Sequence, residues 1–97
     1  MSSITFSWDD RKNQTNQKKH GVAFEEAQTV FFGEKAIEYF DPDHSENEER
    51  YLMLGLSYRL RVLVVSHSLR KNGSEIRIIS ARRATKKEQK FYFGERK

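Results

Sequence analysis

The dipeptide Asn72-Gly73 constrains the fold of this 97-residue chain more than any other feature. It separates two strand-like runs. Residues 61–67 are strongly β-branched through Val62, Val64 and Val65, the composition of a central strand. In residues 75–78, Ile76 and Ile78 alternate with Glu75 and Arg77, the period-two pattern of a half-buried strand. Ile79 and Ala81 blur that alternation, as in a strand covered on both sides. Asn-Gly supplies the positive φ angles of a tight turn, so the two runs form a hairpin. Upstream, residues 51–56 place Leu52, Leu54 and Leu56 on one face, and Ser57-Tyr58-Arg59 turns the chain. Residues 36–40 read as a further strand, ended by Asp41-Pro42 because proline cannot serve a continuing ladder.

Helical signals flank this meander. Thr85-x-x-Glu88 is a capping box and predicts a helix from Thr85 to about Phe93, stopped by Gly94. Near the other end, Ile4–Trp8 reads as a short strand, and Ser7-x-x-Asp10 then caps a helix running to His20 and stopped by Gly21. That helix has almost no apolar residue, so core burial cannot hold it, and it belongs on the surface. Lys12, Asn16 and Lys19 share one of its faces. Residues 22–32 predict a second helix with Phe24, Ala27, Gln28 and Phe31 at helical spacing and Gly33 at its end; Ala23 is a weak cap. Ser45-x-x-Glu48 is a candidate cap for one further helical turn. The order β-α-α-β-β-β-β-α gives an α+β fold built on an antiparallel meander, in a single domain spanning residues 1–97.

Charge is unevenly distributed. Residues 1–50 hold 6 basic and 11 acidic side chains, a balance of −5, whereas residues 51–97 hold 12 and 3, a balance of +9. Either the second half meets a polyanion, or the two halves neutralise each other in space. Arg61, Arg77, Arg82 and Arg83 come from adjacent predicted strands and their exit. The planar guanidinium fork suits phosphate recognition, which makes these four arginines candidates for nucleic-acid contact. Lysines on the last helix can be solubilising charge alone.

Other classes are excluded or weak. Without cysteine there are no disulfides or thiolate metal sites, a composition compatible with a reducing cytoplasm. Met1-Ser2-Ser3-Ile4-Thr5 shows no basic segment followed by an apolar run, so no signal peptide is expected. No apolar stretch suffices to span a bilayer. The start of Asp41-Pro42-Asp43-His44-Ser45-Glu46-Asn47 imitates a calcium loop but lacks the glycine at position six and the glutamate at position twelve. His20, His44 and His67 lie far apart with no zinc-ligand spacing. His20 is either a helix-end histidine interacting with the C-terminal dipole or an acid, base or phosphate contact; His67 divides similarly. Glu88 reads as a cap and not as a base.

Four motifs in order give the chain a family likeness: Phe6-x-Trp8-Asp9-x-x-Lys12-x-x-x-Asn16, Lys19-His20-Gly21-Val22-x-Phe24-x-x-Ala27, Asp41-Pro42-Asp43-His44-Ser45-x-x-Glu48-x-Arg50, and Ile76-Arg77-Ile78-Ile79-Ser80-Ala81-Arg82-x-Ala84-Thr85-x-x-Glu88. The sequence resembles BrnT toxins of type II toxin–antitoxin systems over nearly its whole length. The resemblance implies a RelE-like fold, with a small antiparallel sheet of about four strands, two N-terminal helices and a C-terminal helix. It implies a cytoplasmic endoribonuclease that uses no metal or other cofactor, cuts RNA and inhibits translation. It also implies a BrnA-like ribbon-helix-helix antitoxin, a two-plus-two complex, and operator DNA bound through the antitoxin. Carried onto this chain, Arg77 and Arg82 would neutralise the phosphorane, and Lys19, His20 or His67 would move protons. Lys12, Arg61, Arg83, Lys86 and Tyr92 would hold RNA, with Tyr92 stacking on a base. The competing expectation is a basic binding module without catalysis that serves its antitoxin as co-repressor.

Overall fold

A computed structural model of the chain describes residues 3–94. Met1 and Ser2, part of the segment weighed as a signal peptide, lie outside them. The elements are β1 (Thr5–Ser7), α1 (Asp10–His20), α2 (Phe24–Ala27) running into a 3-10 turn (Gln28–Phe32), β2 (Ile37–Phe40), a 3-10 turn (Pro42–His44), β3 (Arg50–Leu56), β4 (Val62–Arg70), a 3-10 turn (Lys71–Gly73), β5 (Glu75–Arg83) and α3 (Lys86–Tyr92).

The strands form one sheet in the order β1-β5-β4-β3-β2. The antiparallel meander runs from β2 to β5, as the alternation implies. The expected sheet of about four antiparallel strands is corrected in one respect. A fifth strand, β1, adds to the edge of β5, and it runs parallel. Because the two helices and the whole meander separate β1 from β5 in the chain, no hairpin forces them antiparallel. Ser7 Oγ donates to Glu75 Oε2 at 2.6 Å and fastens this edge.

Several local expectations shift as well. Asp9, not Ser7, caps α1, its carboxylate accepting from the Lys12 backbone N–H at 3.0 Å. Ser7 is instead a sheet residue. The second helix is a single α-turn followed by 3-10 geometry, consistent with an Ala23 cap that supplies no side-chain hydrogen bond. Ser45 does not start a helical turn. It closes the Pro42–His44 turn, which Asp41 caps, and its Oγ also accepts from the Arg50 N–H at 2.9 Å. The Thr85 capping box forms in full. Gly21 ends α1 in the left-handed region, at φ 70°, and Asn72-Gly73 turns the hairpin at φ 59° and 89°.

Cross-strand register divides the sheet into two faces, since directly opposed residues point the same way. Leu63, Val65, His67, Ile78 and Ala81 face the α1–α2 layer, where they pack with Val22, Phe24 and Val30. Gly55 lies on this face because a Cβ there would meet Val30 Cγ1 at 2.7 Å. The other face carries Leu54, Val62 and Val64, covered by Ala84 and by Tyr92 of α3. α3 is short and covers only one end of it. Tyr39, Arg50, Leu52, Ser66, Ser68, Arg77 and Ser80 share the rest of it.

Candidate functional site

The polar helix α1 is held by two buried asparagines. β1 pairs with β5 only through Arg77, which leaves the backbone of the later β5 residues without a strand partner on that side. Asn16 takes the partner's place. Its Nδ2 donates to Ala81 O at 2.8 Å, and its Oδ1 accepts from Ala81 N at 3.1 Å. The same Nδ2 reaches Val22 O at 2.8 Å. Asn13 Oδ1 accepts from the Phe24 N–H at 2.9 Å and so fixes the start of α2. Side-chain amides thus do for α1 what apolar burial does for an ordinary amphipathic helix.

This docking creates a groove of about 400 Å³ between α1 and β5. Lys12, Thr15, Lys19 and His20 form one wall, and Ile79 and Ser80 the other. Lys12 and Lys19 are exposed, and His20 is half-buried at the helix end. Asp9 also lines the groove, and Arg77, which does not, acts on that carboxylate through its charge. The Asp9 carboxyl is held below the ordinary range chiefly by the Lys12 N–H, with the Arg77 charge contributing. Three candidate residues therefore share the groove, Lys12, Lys19 and His20, and a fourth, Arg77, acts only electrostatically on its Asp9.

The other six lie elsewhere. Arg82 belongs to the α3 side of the sheet, where Glu88 holds it through both terminal nitrogens at 2.9 and 3.0 Å. The hydrogen bond from Arg82 first, and the Thr85 backbone N–H beside it, draw the Glu88 carboxyl down to about 2 despite its partial burial. The pairing also holds the Arg82 guanidinium more firmly in its charged form. Arg61 points to the helix face, opposite to Arg77. Its Nε donates to Glu26 Oε2 at 3.0 Å and its Nη2 to Gly21 O at 3.1 Å. Burial raises the cost of ionising Glu26, but hydrogen bonds from Arg61 and Ser57 outweigh it and keep the carboxyl below its usual range.

His67 is fully buried on that same helix face. Its Nε2 lies 2.7 Å from Glu38 Oε2 and its Nδ1 3.1 Å from Val65 O, while the Phe31 ring meets it edge-on at 4.7 Å. Tyr92 is mostly buried with Leu54 and Val64, away from the α1–β5 groove, and borders a separate cavity with Leu56 and Phe93. Arg83 and Lys86 are exposed at the β5 exit and the first turn of α3. His44 is bonded to Asp41 at 2.9 Å in the acidic turn, so the three histidines occupy separate places.

The charge asymmetry is partly neutralised in space. Glu26 meets Arg61, Glu48 meets Arg70 at 3.1 Å, and, within the basic half, Glu88 meets Arg82. Among the described residues, Lys12, Lys19 and His20 form no ion pair of this kind. Thr15 carries no signal in the sequence that marks it as groove-lining, and Ser80 stands within the fourth motif without an assigned role. Asn16 carries one, at helical spacing from Lys12 and Lys19, although its role is to seat the helix. Arg50 stands within a motif but had no assigned role.

Residues 8–88 match the family model described as ribonuclease toxin, BrnT, of type II toxin–antitoxin systems. The chain belongs to the BrnT family. The fold agrees with a solved BrnT structure, the ribonuclease toxin of Brucella abortus at 1.1 Å. That structure is 24% identical, with a TM-score of 0.61 over 89% of this chain and 100% of the other. A comparison with curated protein sequences finds no match. Within the BrnT family, a toxin of a type II system implies an antitoxin partner, and the family description names the activity as that of a ribonuclease. None of the helices among the described residues is long and apolar enough to cross a membrane.

Proposed function

We propose that this BrnT-family chain is a metal-independent endoribonuclease that cuts RNA in the cytoplasm and so inhibits translation. The observation that carries the reading is the α1–β5 groove, lined by Lys12, Lys19 and His20 with Ser80 opposite, and with the Arg77 charge acting on the groove's Asp9. Cleavage of an RNA phosphodiester needs three services there. The 2′-oxygen attacks the adjacent phosphorus and gives up its proton, the phosphorane's charge is neutralised, and the 5′-oxygen leaves with a proton. The 2′-O–P bond forms as the 5′-O–P bond breaks, giving a 2′,3′-cyclic phosphate and a 5′-hydroxyl. His20 is the proton-transfer group, its imidazole lining the groove at the end of α1. Lys19 and Arg77 supply charge stabilisation where the phosphorane develops. Lys12 and Thr15 position the strand. This is the metal-free strategy of RelE-type ribonucleases, and a BrnA-like ribbon-helix-helix antitoxin in a two-plus-two complex, bound to operator DNA, would restrain it.

The test is cleavage of a defined RNA by purified protein in excess EDTA, with the product ends determined. Cyclic phosphate and 5′-hydroxyl ends are expected, and adding the antitoxin should abolish them. Intact RNA, free or on ribosomes, together with antitoxin-dependent operator binding would instead indicate a co-repressor module without catalysis.

A further inference from the structure

We infer that the outer edge of β2 is a docking site for an extended, basic segment of the antitoxin, which adds to the sheet as a further strand. β2 is the last strand on its side of the sheet, and only β3 pairs with it. Hydrogen-bonded and non-hydrogen-bonded pairs alternate along an antiparallel ladder. The Asp41 N–H donates to Arg50 O at 2.9 Å, which makes Asp41 and Arg50 a hydrogen-bonded pair. Two and four residues back, Tyr39 and Ile37 also bond to β3, so the N–H and C=O of Glu38 and Phe40 point outward. No backbone hydrogen bond from outside the sheet reaches them among the described residues.

An unpaired edge is usually blunted by lysine, proline or a bulge. β2 has none of these from Ile37 to Phe40, and Pro42 lies beyond its end. Its aromatic side chains are left open instead, Tyr39 at 39% and Phe40 at 46% exposure. Beside this edge an apolar groove of about 420 Å³ runs between β2 and α3, lined by Ile37, Tyr39, Leu54 and Phe91, with Lys87 and Glu88 on its helix side. Directly opposed residues on neighbouring strands share a face. A strand laid along β2 would therefore turn the side chains opposite Ile37 and Tyr39 toward the groove. Main-chain hydrogen bonds to Glu38 and Phe40 supply affinity, and the groove selects apolar residues at alternate positions.

Charge complementarity fixes the chemistry of the occupant. Residues 34–49, which hold β2 and both its flanks, carry seven acidic side chains and one basic, a balance of −6. Glu34 stands before the strand and Asp43 and Glu46 after it, all three exposed and without an ion pair among the described residues. This edge repels a nucleic acid, and it repels the same edge of a second copy. It attracts a segment with lysine or arginine at both ends and alternating apolar residues between them. The protein partner that membership of the BrnT family implies is the antitoxin. Naming it rests on the reading of the chain as a toxin; the free edge, the groove and the charge do not.

The test uses the full chain, alone and in complex with its antitoxin. Hydrogen exchange read by NMR should find the Glu38 and Phe40 amides open in the free chain and slowed at least about tenfold in the complex. Antitoxin affinity is then measured for variants first shown to be folded by thermal melting. Tyr39→Lys, which puts a cation beside the groove and keeps the backbone, should weaken binding about tenfold or more. Phe40→Pro removes one outward N–H while sparing the bonds to β3, and should weaken it about three- to tenfold. Asp43→Lys combined with Glu46→Lys should weaken it about fivefold and lessen its salt dependence. A complex with unchanged exchange at both amides, and wild-type affinity in Tyr39→Lys, would overturn the site and leave the antitoxin seated elsewhere. Slowed exchange in the free chain on raising its concentration would give the edge to a second copy and overturn it too. No complex at all would remove the antitoxin reading and this occupant with it.

Discussion

Glu88 grips both terminal nitrogens of Arg82, at 2.9 and 3.0 Å, while the same carboxylate caps α3 by accepting from the Thr85 N–H at 2.8 Å. One side chain therefore starts the helix and fastens it to β5. Its carboxyl is drawn from 4.5 down to about 2. A depressed carboxyl contributes stability above its unfolded value and loses it as pH falls through the folded one. The pair should thus be fully effective above about pH 4.5 and progressively lost toward pH 2. Glu88→Gln should destabilise by about 1–2 kcal/mol at neutral pH, as expected for a lost cap and ion pair. It should also flatten the acid limb of stability between those pH values. Urea denaturation across a pH series measures both effects; an acid limb identical to wild type would contradict the assignment.

Asn16 replaces a strand on the free edge of β5. Asn16→Ala would strand the Ala81 N–H and carbonyl and the Val22 carbonyl. A loss of about 2–4 kcal/mol is expected, because buried backbone groups would lose their partners. Hydrogen exchange at the Ala81 amide should accelerate in the variant before global unfolding does. A surface substitution such as Gln14→Ala provides the control and should change little.

Glu26 is 3% exposed and relies on Arg61 for its charge. Arg61→Ala should cost about 2–4 kcal/mol, since it leaves a buried carboxylate with only the Ser57 hydroxyl and the more distant Arg59 to hold it. The double variant Arg61→Leu, Glu26→Leu should recover much of that loss. If RNA affinity fell as steeply in the double variant as in Lys12→Ala, Arg61 would have to be returned to the binding surface.

The meander was legible because its signals are local: leucine alternation in residues 51–56, β-branching after Arg61, and Asn72-Gly73. So was α3, through Thr85 and Glu88. What could not be read were relationships that only the register creates. Nothing about Thr5–Ser7 announces a parallel partner 68 residues away, since its bond from Ser7 to Glu75 is a tertiary one. A helix without apolar residues gave no sign of how it is seated, because asparagine is normally a surface residue. Arg61 and Arg77 looked alike in sequence, yet the sheet sends them to opposite faces, one to Glu26 and the other to the open side. His67 was an equal candidate with His20 until β4 placed it inside, against Phe31 and Glu38.

That contrast between the two histidines gives the most direct test of the catalytic groove. Cleavage of a defined RNA in EDTA should be compared for wild type, His20→Ala and His67→Gln, each first shown to be folded by thermal melting. The groove account predicts that His20→Ala loses at least about a hundredfold in rate, the contribution expected of a proton-transfer group. His67→Gln, whatever it costs in stability, should remain within about threefold of wild type at a temperature where it is folded. Full activity in His20→Ala, or loss of cleavage in a folded His67→Gln, would contradict the account.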